Sequence, residues 1–143
     1  MSPRRIAVCF EVTPKQTFAS ALDWPGWCRA GRDEGAALEA LASYAERYRP
    51  VAEQAGLSVP STVAFDVVER VPGGPATAFA APECRRPFPQ MTAEADRAKV
   101  TPATARRLVG MVTAAWATFD EIAAASPAEL RKGPRGGGRT GTS

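Results

Sequence analysis

FASALDWPGWCRAGRDE, residues 18–34, is the stretch that decides the fold. It begins as an apolar strand, reverses at Pro25-Gly26 and continues as a second short strand. Proline fixes one backbone angle and glycine accepts a positive one, so the pair favours a tight turn. Asp33 then provides an N-cap for a helix, and Glu34 is favourable in its first turn. The stretch therefore predicts two antiparallel strands that lead into a helix.

Two further strands are predicted on either side of this stretch. Alternation with a period of two marks residues 6–12 and 61–71 as strands with one buried face. Phe10, Phe18 and Phe65 are expected on the sheet face that receives the helix, since one helix laid on one face buries both apolar surfaces.

The helix after Asp33 carries an apolar stripe through Leu38, Leu41 and Tyr48. Pro50 is expected to interrupt this helix, and Gly56 to end its continuation. Residues 1–71 are thus predicted to form a β-β-β-α-β module.

The second half of the chain is predicted to hold one long amphipathic helix. Residues 72–100 form an irregular, proline-rich linker, with one or two helical turns near its end. Thr101-Pro102 is a strong helix start, and Ser126-Pro127 repeats the signal for a short helix that ends near Lys132. Residues 133–143 are rich in glycine and hold no apolar residue, which predicts a disordered tail. The whole chain is predicted to be an α+β protein with segments 1–71, 72–100, 101–132 and 133–143.

The stripe on the long helix is longer than a small sheet can cover. It is interpreted as core or as a dimer face. Its members are Ala105, Leu108, Val109, Val112, Trp116, Phe119, Ile122 and Ala123.

Composition argues against several kinds of catalysis. The chain has no histidine, which removes Ser-His and Cys-His pairs and histidine metal ligands. The cysteines at 9, 28 and 84 lack CxxC spacing, so neither a metal nor another cofactor is predicted. Asp33 and Glu34 are interpreted as partners of the helix dipole and Cys28 as a small strand residue. The net charge of +3 is modest. No signal peptide or membrane span is predicted, and the expected location is the cytoplasm.

Residues 6–70 resemble the antitoxin family called HicB. The resemblance rests on a strand pair, the D-x-P-G turn at Asp23 to Gly26, Gly31, and the alanine-rich helix that begins near Glu34. It implies a small α/β fold with a three-stranded sheet and one packed helix, and a role in covering a small toxin ribonuclease. The run DWPGWCRxG is also similar to uncharacterised actinobacterial proteins, and the C-terminal part faintly resembles the start of a DinB-type helical bundle.

Two sets of residues are candidates for binding. Trp24, Trp27 and Arg29 lie at the turn and are candidates for contact with a protein partner, since tryptophan and arginine are enriched at binding hot spots. Arg131, Lys132, Arg135 and Arg139 lie among glycines and are candidates for contact with nucleic acid.

The sequence thus predicts a non-catalytic, HicB-like binding protein that engages a protein partner or a second copy of itself. Neutralisation of a toxin is one form of that binding. The alternative is a nucleic-acid-associated regulator that uses the basic C-terminal tail.

Overall fold

The computed structural model describes residues 5–74 and 92–129 and shows a mixed α+β fold. Its strands are β1 (Ile6–Val12), β2 (Thr17–Ala21), β3 (Cys28–Gly31) and β4 (Phe65–Pro72). Its helices are α1 (Glu34–Ser43), α2 (Ala45–Gln54) and α3 (Pro102–Ala125), with a 3₁₀ helix at Glu94–Arg97.

The four strands form one sheet in the order β3-β2-β1-β4. The β1–β2 and β2–β3 pairs are antiparallel, and β4 lies parallel to β1. The predicted strand at 61–71 begins at Phe65 because its partner β1 begins at Ile6, which lies opposite Phe65. One register shift between Val8 and Cys9 interrupts the parallel pair.

The sheet has two faces with different coverings. The face called here the helix face carries Ile6, Val8 and Phe10 from β1, which belong to the same buried cluster as Leu41 and Tyr48. The opposite face carries Cys9 and Glu11 and is called here the cleft face, since it forms the floor of the cleft described below.

The prediction that Phe18 shares a face with Phe10 is wrong. Phe18 pairs with Glu11 across the β1–β2 ladder, whereas Phe10 pairs with Ala19. Directly paired residues lie on the same face, so Phe18 is on the cleft face, where it is buried. The helix face instead receives the small side chains Ala19 and Ala21, which leave room for α1.

The first helix begins as the sequence predicts. The Asp33 carboxylate accepts a hydrogen bond from the Ala36 N–H at 2.7 Å, as an N-cap does. Glu34 pairs with Arg70 of β4 at 2.8 Å and so connects the helix start to the sheet.

The helix break lies at Tyr44 and not at Pro50, where the sequence predicts it. Pro50 is inside α2, although it cannot donate the usual helix hydrogen bond. Tyr48 and Ala52 are both buried on either side of it, and this packing outweighs the local cost of the proline. Gly56 ends α2 with a positive φ of 74°, as predicted.

The long helix α3 packs on α2, and its buried residues are Met111 and Ala114. Thr101 caps it by accepting a hydrogen bond from the Thr104 N–H at 3.1 Å, with Pro102 in the first turn, as predicted. The predicted helix after Ser126 does not form within residues 126–129. The rest of that segment and the predicted disordered tail, 133–143, lie outside the described residues, as do residues 75–91 of the predicted linker.

Candidate binding sites

The turn at residues 22–27 is tight and is tied to α2. The Trp27 N–H donates to the Trp24 carbonyl at 3.1 Å, and Gly26 has a φ of 86°. The Tyr48 hydroxyl donates to the Pro25 carbonyl at 2.7 Å. The turn is therefore held in one conformation by a buried residue of the neighbouring helix.

Trp27 is a core residue, with only 1% of its surface exposed. Its indole N–H donates to the Leu41 carbonyl at 2.9 Å, and its ring stacks on Tyr48 with the centroids 5.3 Å apart. In this conformation the predicted partner-binding residue Trp27 has almost no surface to offer a partner.

Trp24 is half-buried between two helices. On one side its ring lies perpendicular to the Tyr48 ring, with a centroid distance of 6.1 Å. On the other side the guanidinium of Arg107 lies 4.8 Å from the ring centroid, and Arg107 also donates to the Asp23 carbonyl. Trp24 thus joins the turn to α3 through a cation–π contact.

Arg29 stacks on Tyr44 at the break between α1 and α2. Its guanidinium carbon is 3.3 Å from the centroid of that ring. Its buried Nε has no hydrogen-bond partner among the described residues. Trp27 and Arg29 both line the cleft, whereas Trp24 is not part of its wall.

The cleft has a volume of about 780 Å³ and lies on the cleft face of the sheet. Its walls are the turn at 22–27, residues 93–100 and the first turns of α3. The segment at 93–100 is held by Glu69, whose carboxylate accepts a hydrogen bond from the Glu94 N–H at 2.9 Å. The side chains at its floor include Cys9, Glu11, Ser20 and Cys28. Nothing in the sequence pattern pointed to this cleft, because the segment that forms its wall is irregular.

The two thiols in the cleft are poor nucleophiles. Burial raises the pKa of Cys9 and that of Cys28 to about 11. The Ser20 hydroxyl donates a hydrogen bond to the Cys28 sulfur at 3.1 Å. This bond and the positive charge of Arg29 both lower the pKa of Cys28, but the effect of burial is larger. Both groups are thiols at neutral pH, and the thiolate is the reactive form.

Among the described residues, no three acidic or cysteine side chains are grouped so that they could hold a metal ion. Cys84 and the candidate nucleic-acid residues Arg131, Lys132, Arg135 and Arg139 lie outside the described residues.

The stripe predicted on α3 forms an exposed apolar surface. Five of its large residues are each between 54% and 65% exposed, whereas Leu108 is half-buried and lines the cleft. Trp116 and Phe119 contact each other edge to face at 6.4 Å. We call this surface the α3 face and define it by Val109, Val112, Trp116, Phe119 and Ile122. The buried residues of the helix are instead Met111 and Ala114, which the sequence stripe did not include.

By length and composition alone, α3 could also cross a membrane, which the sequence analysis did not predict. This is a weak indication, since it rests on a single helix and Arg106, Arg107, Asp120 and Glu121 lie along it. The helix is mostly exposed, and 11% of its most apolar window is buried in the fold. The fold is compatible with a soluble protein.

No family model matches this chain, and no curated protein or solved structure matches it significantly.

Proposed function

We propose that this protein acts by binding another protein chain, and that the α3 face is its binding surface. The observation that carries this proposal is the outward position of five large apolar side chains on one helix face. Apolar surface costs about 25 cal/mol per Å² when it is left in water, so a contiguous apolar face is stabilised when another surface covers it. Trp116 and Phe119 are of the residue types that anchor protein interfaces.

The chemistry of the cleft supports a role without catalysis. The raised pKa of Cys9 and that of Cys28 leave little thiolate at neutral pH. The sequence also holds no histidine to serve as a general base for either thiol.

We infer that the first half of the chain is a HicB-like domain in the cytoplasm. Three consecutive antiparallel strands followed by a helix, with the reversal at Asp23 to Gly26, support this inference. Neutralisation of a toxin would then be one form of the proposed protein binding.

Site-specific photocrosslinking tests the proposal. The photoreactive residue benzoylphenylalanine would replace Val112 or Trp116 in the full-length protein, and cells that produce it would be irradiated. We expect protein adducts at both positions, because both side chains lie on the proposed surface. Glu39, which is exposed on α1, is the matched control position and should give none.

The mass of each adduct, measured by mass spectrometry, identifies the second chain. The absence of protein adducts at both α3 positions, or equal yields at position 39, would contradict the proposed function.

A further inference from the structure

We propose that the occupant of the α3 face is a second copy of this chain. The two α3 helices pack antiparallel about a two-fold axis that crosses the exposed side of the helix at the level of residue 114. Arg106 of each copy then lies against Asp120 of the partner subunit. This inference rests on the proposed function, because it names the partner that the α3 face binds.

The spacing of the exposed residues is that of a two-helix seam. Residues at alternating intervals of four and three form a continuous line along a helix, as at the a and d positions of a coiled coil. All six residues of this line on α3 are exposed and none is charged: Ala105, Val109, Val112, Trp116, Phe119 and Ala123. Met111 and Ala114 are buried on the other side of the helix, and none of the residues that the structure describes covers the line.

The order of side-chain sizes favours the antiparallel direction. The line is symmetric about residue 114, so a two-fold axis there places Val109 opposite Phe119 of the partner subunit. It likewise places Val112 opposite Trp116 of the partner subunit. Each pair of facing residues that contains a large side chain then consists of one valine and one aromatic ring. Because these pairs have similar total size, the two helices can stay at a constant separation. A parallel pair would stack tryptophan on tryptophan and valine on valine, which gives layers of unequal width.

The charges beside the line favour the same direction. Arg106 and Asp120 are exposed on one flank of the line, where neither has an ion-pair partner within the described part of the chain. In an antiparallel pair, the same flank of each helix faces its counterpart on the other copy, so Arg106 faces Asp120 of the partner subunit. The two-fold axis repeats this pair, so the isologous interface contains it twice. Leu108 and Ile122 occupy the other flank, where Leu108 meets Ile122 of the partner subunit as an apolar pair.

A parallel pair lacks this complementarity. Opposite flanks would then face each other, and Arg106 and Asp120 would lie against uncharged side chains. The antiparallel arrangement is therefore the one that satisfies both the apolar line and the two charges.

A charge-exchange experiment on the full-length protein tests the inference. Sedimentation equilibrium would measure the dissociation constant of the dimer for the unmodified protein, Arg106→Asp, Asp120→Arg and the doubly substituted protein. Each single change creates two like-charge contacts, so we expect it to raise the dissociation constant by about 10-fold or more. The double exchange restores both opposite-charge contacts and should return the constant to within about 3-fold of the original value.

Two further variants serve as controls. Arg32→Asp makes the same change of charge at an exposed site far from α3 in sequence and should leave the dissociation constant unchanged. Trp116→Asp places a charge in the seam and should give a monomer. Far-ultraviolet circular dichroism would establish that all variants remain folded.

The outcomes separate this inference from the proposed function. A protein that stays monomeric while position 116 crosslinks to a different protein overturns the dimer and leaves the proposed function standing. A monomer without protein adducts that co-sediments with phosphatidylcholine–phosphatidylglycerol vesicles overturns both. A dimer that the single exchanges do not weaken, or that the double exchange does not restore, overturns the antiparallel pairing.

Discussion

At the scale of single residues, Tyr48 holds the turn and the core together. Its ring stacks on Trp27 and lies perpendicular to the Trp24 ring, and its hydroxyl donates to the Pro25 carbonyl. The two tryptophans of one four-residue turn therefore share a contact in the core but differ in exposure. Only Trp24 keeps partial contact with solvent.

This difference predicts unequal effects on stability. Trp27→Ala removes a fully buried indole and its hydrogen bond to Leu41, so we expect it to lower the free energy of unfolding by about 3–5 kcal/mol. Trp24→Ala removes a half-buried ring and should cost about 1–2 kcal/mol. Urea unfolding followed by circular dichroism measures both. Equal losses would show that the two rings are buried alike.

The buried thiols predict a loss of stability at alkaline pH. The pKa of Cys28 is raised from 9.0 to about 11, so its proton is held more tightly in the folded state. Below pH 9 the folded and the unfolded state both keep the proton, so the full contribution of the thiol to the free energy of unfolding is present. Between pH 9 and 11 unfolding releases the proton, so the free energy of unfolding falls as pH rises. Cys9 acts in the same direction over the same range.

Urea unfolding at pH 8, 9.5 and 10.5 checks this prediction. Cys28→Ala is the matched variant and should show a smaller decline over that range. A free energy of unfolding that stays constant or increases with pH would contradict it.

At the scale of elements, two glycines in different surroundings make a matched pair. Gly31 ends β3 directly under α1, and a Cβ there would overlap the backbone of Ala36 and Ala37. Gly110 lies inside α3, and a Cβ there would meet no atom within 4 Å beyond the nearby backbone of its own helix.

The same substitution should therefore have opposite effects at the two positions. Gly31→Ala should destabilise the protein by about 1–3 kcal/mol, because α1 must move away from the sheet. Gly110→Ala should stabilise it by about 0.5–1 kcal/mol, because alanine loses less backbone entropy in a helix. Thermal unfolding by calorimetry would compare the two variants. A loss of stability at both sites would mean that position 110 is more crowded than its surroundings indicate.

Local signals in the sequence were enough to predict the types of the four strands and of the helices that begin at Glu34 and Pro102. These signals each act within a few residues, and each lies where the sequence predicts it. They are the N-caps at Asp33 and Thr101, the turn at Pro25-Gly26 and the helix C-terminal glycine at position 56. The break at Tyr44 escaped prediction because it depends on packing: the tolerance of Pro50 comes from the burial of Tyr48, which lies against a distant turn.

Register was the other point that the sequence left open. The turn between β1 and β2 pairs Phe10 with Ala19, and a turn one residue longer or shorter would have placed Phe18 on the helix face. The stripe on α3 was predicted correctly as a pattern. Its outward direction depends on which helix face α2 contacts, and the same periodicity fits either choice.

At the scale of the whole molecule, α3 is coupled to the sheet domain at several points. Met111 belongs to the buried cluster that also contains Phe10 and Leu41. Arg107 contacts the turn, and the Thr118 hydroxyl donates to the Gln54 side chain of α2 at 2.7 Å. The long helix is thus attached to the domain while one of its faces stays exposed.

We expect Met111→Ala to destabilise the whole protein in one transition. The change removes a buried side chain and should cost about 2–5 kcal/mol, with circular dichroism and tryptophan fluorescence changing together. Val112→Ala is the adjacent exposed control and should change the stability of the dilute protein by less than about 0.5 kcal/mol. Two separate transitions for Met111→Ala would show that α3 unfolds independently of the sheet.

The parallel pairing of β4 with β1 also has a consequence for synthesis. β1 leaves the ribosome before β4, its neighbour on the side away from β2. β4 begins only at Phe65, which lies opposite Ile6. At about 5–20 residues per second, several seconds pass before that neighbour exists. During this interval β1 has an open edge and carries Ile6, Val8 and Phe10. A nascent chain that stalls before residue 65 is thus the form in which we expect this protein to recruit chaperones or to aggregate.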